Sequence, residues 1–215
     1  MRKQMQMETV EHIVTSVDVL PVMEHFYTLQ GEGAYQGQAA YFIRLGGCDV
    51  GCVWCDVKES WDATKHPLLK IEDLILNIEN TPAKIVVVTG GEPLLHNLDE
   101  LTAQLKKTGL KTHIETSGSA DLSGTWDWIT VSPKKFKAPL PEALSQANEL
   151  KVIVYNKSDF AWAEEHATKV KPDCKLYLQP EWSKAALVTP SIVDYIKAHP
   201  KWQLSLQIHK YINVP

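Results

Sequence analysis

Apolar residues fall in short runs along this chain, and the spacing inside each run selects an element. Ile85-Val86-Val87-Val88 is an unbroken β-branched run, the pattern of a strand buried on both faces. Leu20–Leu29, Ala39–Leu45, Thr112–Thr116, Trp126–Val131, Leu150–Val154, Lys175–Leu178 and Leu204–Ile208 read as further strands. Helical spacing marks Ile71–Ile78, through Ile71, Leu74, Ile75 and Ile78. It also marks Leu98–Lys107, with late lysines and Gly109 just beyond its end. Pro141–Ala147 fits a short helix. Ser158 fits the cap of a helix reaching about Val170, and Thr189-Pro190 fits the start of one reaching Ala198. Val57 to Leu69 has no period and reads as loop.

Strands alternating with helices or loops predict a parallel sheet with crossovers on its outside. A full eightfold barrel takes about 250 residues, and this chain has 215. The expected fold is therefore α/β, an open and partial parallel β/α barrel. One domain is expected over residues 1–215, with residues 1–19 as an N-terminal extension. The polar and glycine-rich segments follow the strands, at the edge where parallel sheets bind ligands.

Composition narrows the classes. The chain is 44% hydrophobic and 22% charged, as in ordinary globular domains. A net charge of -4 argues against a general attraction to nucleic acid. No apolar run approaches the ~20 residues of a membrane span. Met1 to Ser16 mixes Arg2, Lys3, Glu8 and Glu11 among apolar residues, unlike a signal peptide. A cytoplasmic, reducing location is expected.

Cys48, Cys52 and Cys55 are three of the four cysteines, spaced C-x3-C-x2-C. A disulfide would leave one over. Structural zinc normally takes four ligands, and no second C-x2-C or H-x3-H pair appears. A four-iron cluster held by three thiolates keeps one iron open to a ligand that is not protein. With Trp54 before the last cysteine, the run resembles the signature of radical S-adenosylmethionine enzymes. That resemblance implies a [4Fe–4S] cluster on Cys48, Cys52 and Cys55, with S-adenosylmethionine on the open iron. Thr89-Gly90-Gly91-Glu92-Pro93 resembles the same family's segment for the cofactor's amino group, with Glu92 as a charge that could meet the ammonium.

A longer ordered set narrows the resemblance. It comprises Phe26-Tyr27-Thr28-Leu29, Gln30-Gly31-Glu32-Gly33, Phe42 to Cys48, Cys55-Asp56, Glu115 to Gly118, Val131 to Lys134, Gln179-Pro180 and His209 to Pro215. Together these resemble the 7-carboxy-7-deazaguanine synthase family. The resemblance implies conversion of 6-carboxy-5,6,7,8-tetrahydropterin to 7-carboxy-7-deazaguanine with loss of ammonia, on the route to queuosine. It implies a homodimer, reduced by flavodoxin or ferredoxin. Trp54, Cys55, Asp56, Gly91, Ser132, Pro133, Lys134, Gln179 and Pro180 would line the cofactor pocket. Leu29, Gln30, Gly31, Arg44, Thr89 and the carboxylate of Pro215 would contact the pterin. A guanidinium such as Arg44 suits a carboxylate by a two-pronged contact; the plainer reading pairs it with a nearby Asp or Glu.

Mg²⁺ is also implied, but Val57 stands where the family usually has a threonine ligand. Valine offers no oxygen, and Mg²⁺ takes oxygen ligands. Cys174 is expected to be a small buried residue. His113 is expected to be a satisfied structural histidine, and Trp126, Trp128, Trp162 and Trp202 to be core. Two rival readings are a glycyl-radical activating enzyme, which needs a protein-sized groove, and a non-catalytic iron–sulfur or zinc scaffold, which leaves Gly90-Gly91-Glu92 without a role.

Overall fold

A computed structural model describes residues 18–215. The expected N-terminal extension and the signal-peptide argument fall almost wholly outside the described residues. The strands are β1 (Val19–Leu29), β2 (Ala39–Leu45), β3 (Leu68–Lys70), β4 (Ile85–Gly90), β5 (Lys111–Thr116), β6 (Trp128–Val131), β7 (Glu149–Val154), β8 (Lys175–Pro180) and β9 (Trp202–Leu204). The helices are α1 (Ile71–Glu79), α2 (Asp99–Lys107), α3 (Pro141–Gln146), α4 (Ser158–Ala167), α5 (Ala185–Ala198) and α6 (Ile208–Ile212).

Among the described residues the strands form one sheet in the order β3-β1-β2-β4-β5-β6-β7-β8-β9, which leaves β3 and β9 as free edges. The sheet is therefore not closed into a barrel. From β2 to β9 every pairing is parallel, as expected. β1 departs from that reading: it runs antiparallel to both β2 and β3. A short turn joins β1 to β2, and short connections make antiparallel neighbours.

The two-residue period of a strand sorts side chains onto two faces. Val86, Val88, Ile114, Val131, Leu150, Val152 and Leu178 join the helices in the main core. Ile85 and Val87 pack on the opposite face with Ala40 and Phe42. The β-branched run of β4 is thus buried on both sides. Arg44, Thr89, Glu115 and Lys151 share the face of Phe42 and Val87, nearer the strand ends.

Four expectations are corrected. α5 does not start at Thr189; it begins at Ala185, with Pro190 inside it. A turn capped by Glu181 feeds the helix, and Val188 and Ile192 are buried, so packing outweighs the proline break. The last strand stops at Leu204 rather than Ile208. Gly33 N–H donates to Ser205 Oγ (3.0 Å), which in turn donates to Gln179 (2.6 Å), and the chain turns into α6. α4 ends at Ala167, short of Val170. β3, three residues long, lay in the segment read as loop; so short a strand shows no period.

Cys174 is buried in the main core, and Trp202 is 1% exposed there. Trp126 and Trp162 pack against that core. His113 differs from expectation: it is buried, but Nε2 has no hydrogen-bond partner among the described residues. Its ring meets Tyr35 edge-on at 4.4 Å. Among the described residues, no helix is long and apolar enough to cross a membrane.

Candidate active site

The C-terminal ends of the parallel strands open into a cavity of about 210 Å³. One wall is the loop after β2, which carries Cys48, Cys52 and Cys55 into it, together with Trp54 and Asp56. Gly91, Ser132, Lys134, Gln179 and Pro180, all expected at the cofactor, also line it. So do Arg44 and Thr89, which are register partners on β2 and β4. Five expected residues are not part of its lining. Pro133 lines a neighbouring cavity shared with Trp54 and Lys134. Gln30 supports the wall from behind, its Nε2 donating to Glu115 at 2.8 Å. Leu29 ends β1 just before it, and Gly31 lies against the His209 ring. Pro215 reaches Thr28, whose Oγ1 donates to its oxygen at 3.2 Å.

Sequence reasoning quoted Glu32 and Glu115 within its motifs but missed Lys151, which joins them in the cavity lining. The Lys151 side chain is 4% exposed and ion-paired with Glu32 and with Glu115, the latter at 3.1 Å. Gln207 Nε2 donates to the other oxygen of Glu32 at 2.8 Å. Burial alone would raise the Glu32 carboxyl. The Lys151 charge and the bonds from Lys151, Gln207 and Gln179 outweigh it and bring it down to about 2. The one sequence signal was Glu149 and Lys151, alternating as polar positions within an otherwise apolar strand.

Arg44 is paired with a carboxylate, as its plainer reading expects. Its Nε donates to Glu24 at 2.7 Å, and it still lines the cavity. Among the described residues its other guanidinium donors make no hydrogen bond. Glu92 does not face a ligand as expected. It is fully buried and accepts bonds from Leu94, Thr116 and Ser117. The glycines before it remain at the cavity.

The thiol wall is buried enough to disfavour thiolates. Burial raises the Cys48 thiol, and it pushes Cys52 up to about 11 against the pull of Lys134. Burial in turn lowers the Lys134 ammonium. Ligation by iron must therefore displace thiol protons. Among the described residues no three His, Cys, Asp or Glu side chains converge on one ion-sized point. A four-iron cluster sets each thiolate on its own iron, so three thiols spread along one wall suit it.

Gly91 holds this wall close. A Cβ there would lie 2.2 Å from the Gly47 carbonyl oxygen and 2.7 Å from Cys48 Cβ. Gly91→Ala must push the cysteine loop outward. Reconstituted variant is expected to hold less than about half the wild-type iron per chain, read by iron analysis and the violet absorption band.

Comparison with known proteins agrees with this geometry. Residues 42–134 match the Radical SAM superfamily. A 7-carboxy-7-deazaguanine synthase from Flavobacterium psychrophilum is 57% identical, over 92% of this chain and 94% of its own length. One from Synechocystis is 50% identical, over 90% and 93%. The crystal structure of QueE from Escherichia coli superposes with a TM-score of 0.78 at 35% identity, covering 87% of this chain and 93% of that one. The chain belongs to the 7-carboxy-7-deazaguanine synthase family. It is a radical S-adenosylmethionine enzyme, and that superfamily carries a [4Fe–4S] cluster and S-adenosylmethionine.

Proposed function

We propose that this synthase-family chain converts 6-carboxy-5,6,7,8-tetrahydropterin to 7-carboxy-7-deazaguanine with release of ammonia. The observation that carries the reading is one cavity lined by all three thiols and by the Arg44, Glu115 and Lys151 charges. When bound, the cluster and S-adenosylmethionine supply the radical that starts the ring contraction. The protein places the substrate and excludes water. Arg44 has donors left for the substrate carboxylate. Glu115 and Glu32 are acceptors suited to the pterin's N–H edge. Gln30 fixes Glu115, and Leu29, Gly31 and Pro215 belong to the same reading as further pterin contacts. Ser132 holds Lys134 through its carbonyl and hydroxyl, at 2.5 and 2.6 Å, beside the thiols.

A flavodoxin or ferredoxin fits as electron donor: Val53, next to Cys52, is 68% exposed, so the loop is open to a protein partner. A homodimer in the cytoplasm belongs to the same reading. Mg²⁺ does not fit the donor set beside the cysteine loop, where Val57 lines the cavity with a side chain that has no oxygen and its carbonyl already accepts from Ser60. No step is assigned to it.

The test is anaerobic turnover of reconstituted, reduced protein with S-adenosylmethionine and the pterin, followed by mass spectrometry. Carboxydeazaguanine in excess of consumed S-adenosylmethionine is the expected result. 5′-Deoxyadenosine accumulating without the deazaguanine would leave the radical chemistry standing and refute the substrate.

A further inference from the structure

The carboxylates that line the cavity, and Asp49 and Asp62 on the segments around the cysteine loop, each have a partner within the protein. Glu32 and Glu115 hold Lys151. Asp49 holds Lys137 at 2.7 Å, and Asp62 accepts from Thr64. Glu181 caps its own turn through the N–H groups of Ser183 and Lys184. Ser60, the hydroxyl nearest in sequence to Val57, donates to the Val57 carbonyl at 2.7 Å. Asp56 stands directly before Val57, and the Lys210 ammonium lies 2.6 Å from its carboxylate.

Lys210 is well placed to act as a fixed charge. It comes from α6, which directly follows Gln207 of the cavity lining. It sits 5.0 Å over the Trp182 ring, and Trp182 and Asp56 both line the cavity. Trp182 is held from its other side by Tyr211, at 5.3 Å. An ammonium has three donors, and only the one to Asp56 is used among the described residues. A divalent cation at this corner would share Asp56 with the Lys210 ammonium, which repels it, and would gain no side-chain ligand from Val57. Mg²⁺ sheds its waters reluctantly and needs several oxygens in an octahedron.

We propose that this enzyme works without a protein-bound divalent cation, and that Lys210 supplies the positive charge at the corner between the cysteine loop and the substrate. Lys210 is a positioning residue: it orients Asp56 and offers two N–H groups toward anionic ligands. The proposal rests on the substrate reading above.

The first arm reads binding, not turnover. Mn²⁺, as a stand-in for Mg²⁺, is titrated into the reconstituted, oxidised enzyme with and without S-adenosylmethionine and pterin, and free Mn²⁺ is followed by electron paramagnetic resonance. No stoichiometric loss of the free-ion signal is expected. One tightly held Mn²⁺ per chain in either condition overturns the proposal. The second arm is turnover. Wild-type rates with EDTA and with Mg²⁺ should agree within about twofold. Lys210→Met should lose about tenfold or more in kcat/KM for the pterin, and Lys210→Arg, which keeps the charge, should recover most of it. A Met variant as active as wild type overturns the role of Lys210, whatever the Mn²⁺ result. Failure of the substrate reading is distinguishable, because it gives deoxyadenosine and no deazaguanine in every arm while leaving the Mn²⁺ titration untouched.

Discussion

Lys151→Met is expected to destabilise the protein by about 3–5 kcal/mol, the usual cost of removing one partner from a buried ion pair. That corresponds to a fall in Tm of roughly 10 °C for a chain of this size. The ammonium is the one cation on the inner face of β7, and it meets Glu32 and Glu115 there. Glu149, two residues earlier on the same strand, is buried as well. Its carboxylate accepts the Ala34 N–H at 3.0 Å and lies 3.4 Å from the Trp128 indole nitrogen. Burial raises the Glu149 carboxyl. Without Lys151, the buried Glu149 and the partly buried Glu32 and Glu115 would be left with no compensating charge, and at least one would have to take up a proton.

This gives the loss a pH signature. In the wild type, Glu32 sits at about 2, below the ordinary value of 4.5. A depressed carboxylate contributes stability above the unfolded value, and that contribution is lost as pH falls from about 4.5 toward 2. In Lys151→Met the main lowering influence is gone, so the Glu32 value rises and the acid-side loss shrinks. Thermal melts from pH 4 to 8 should show the gap between wild type and variant widest at neutral pH and narrower at pH 4. The double variant Glu32→Gln/Lys151→Met should recover part of the loss. A single variant as stable as wild type at pH 7 would show the network to be dispensable. Turnover should fall with it, since Glu115 loses the contact that orients it.

What the sequence revealed and what it hid divide along physical lines. Features carried by local pattern were legible. The β-branched run Ile85 to Val88 announced a doubly buried strand, and the cysteine spacing announced the cluster loop. Arg44 and Thr89 were expected at the same ligand and are register partners. Features made by contacts distant in sequence were not. Lys151 meets Glu32 across 119 positions, and Lys210 meets Asp56 across 154. No local period encodes such a pair. Pro190 misled in the opposite direction. A start signal was read from Thr189-Pro190, but the Thr189 hydroxyl donates to the Ala185 carbonyl at 2.6 Å, inside a helix already under way. The antiparallel β1 was hidden because strand direction depends on the connection, and the β1-to-β2 turn looked like a ligand loop.

Glu92 is where local chemistry pointed to the wrong role, and it carries the second large prediction. A carboxylate after two glycines at a strand end reads as a partner for a cofactor ammonium. In the fold it is a tie between β4 and β5. One oxygen accepts the Leu94 N–H at 3.1 Å and the Thr116 hydroxyl. The other accepts the Ser117 N–H at 2.8 Å and the Ser117 hydroxyl. The Glu92 N–H itself donates to the Gly47 carbonyl at 2.8 Å, directly before Cys48. Glu92→Ala removes the acceptor for four buried donors and leaves a void under the cysteine loop. A loss of about 3–5 kcal/mol is expected, from unsatisfied donors and from the missing charge-assisted bonds. Glu92→Gln should cost nearly as much, because its amide would present N–H groups to donors on one side. The measurement is the urea midpoint of the metal-free protein, with the slope unchanged if only native stability is affected. Iron retention after reconstitution should fall in parallel. If Glu92→Gln instead left the metal-free midpoint in place and weakened only S-adenosylmethionine binding, the residue would be a ligand after all and the structural tie would be incidental.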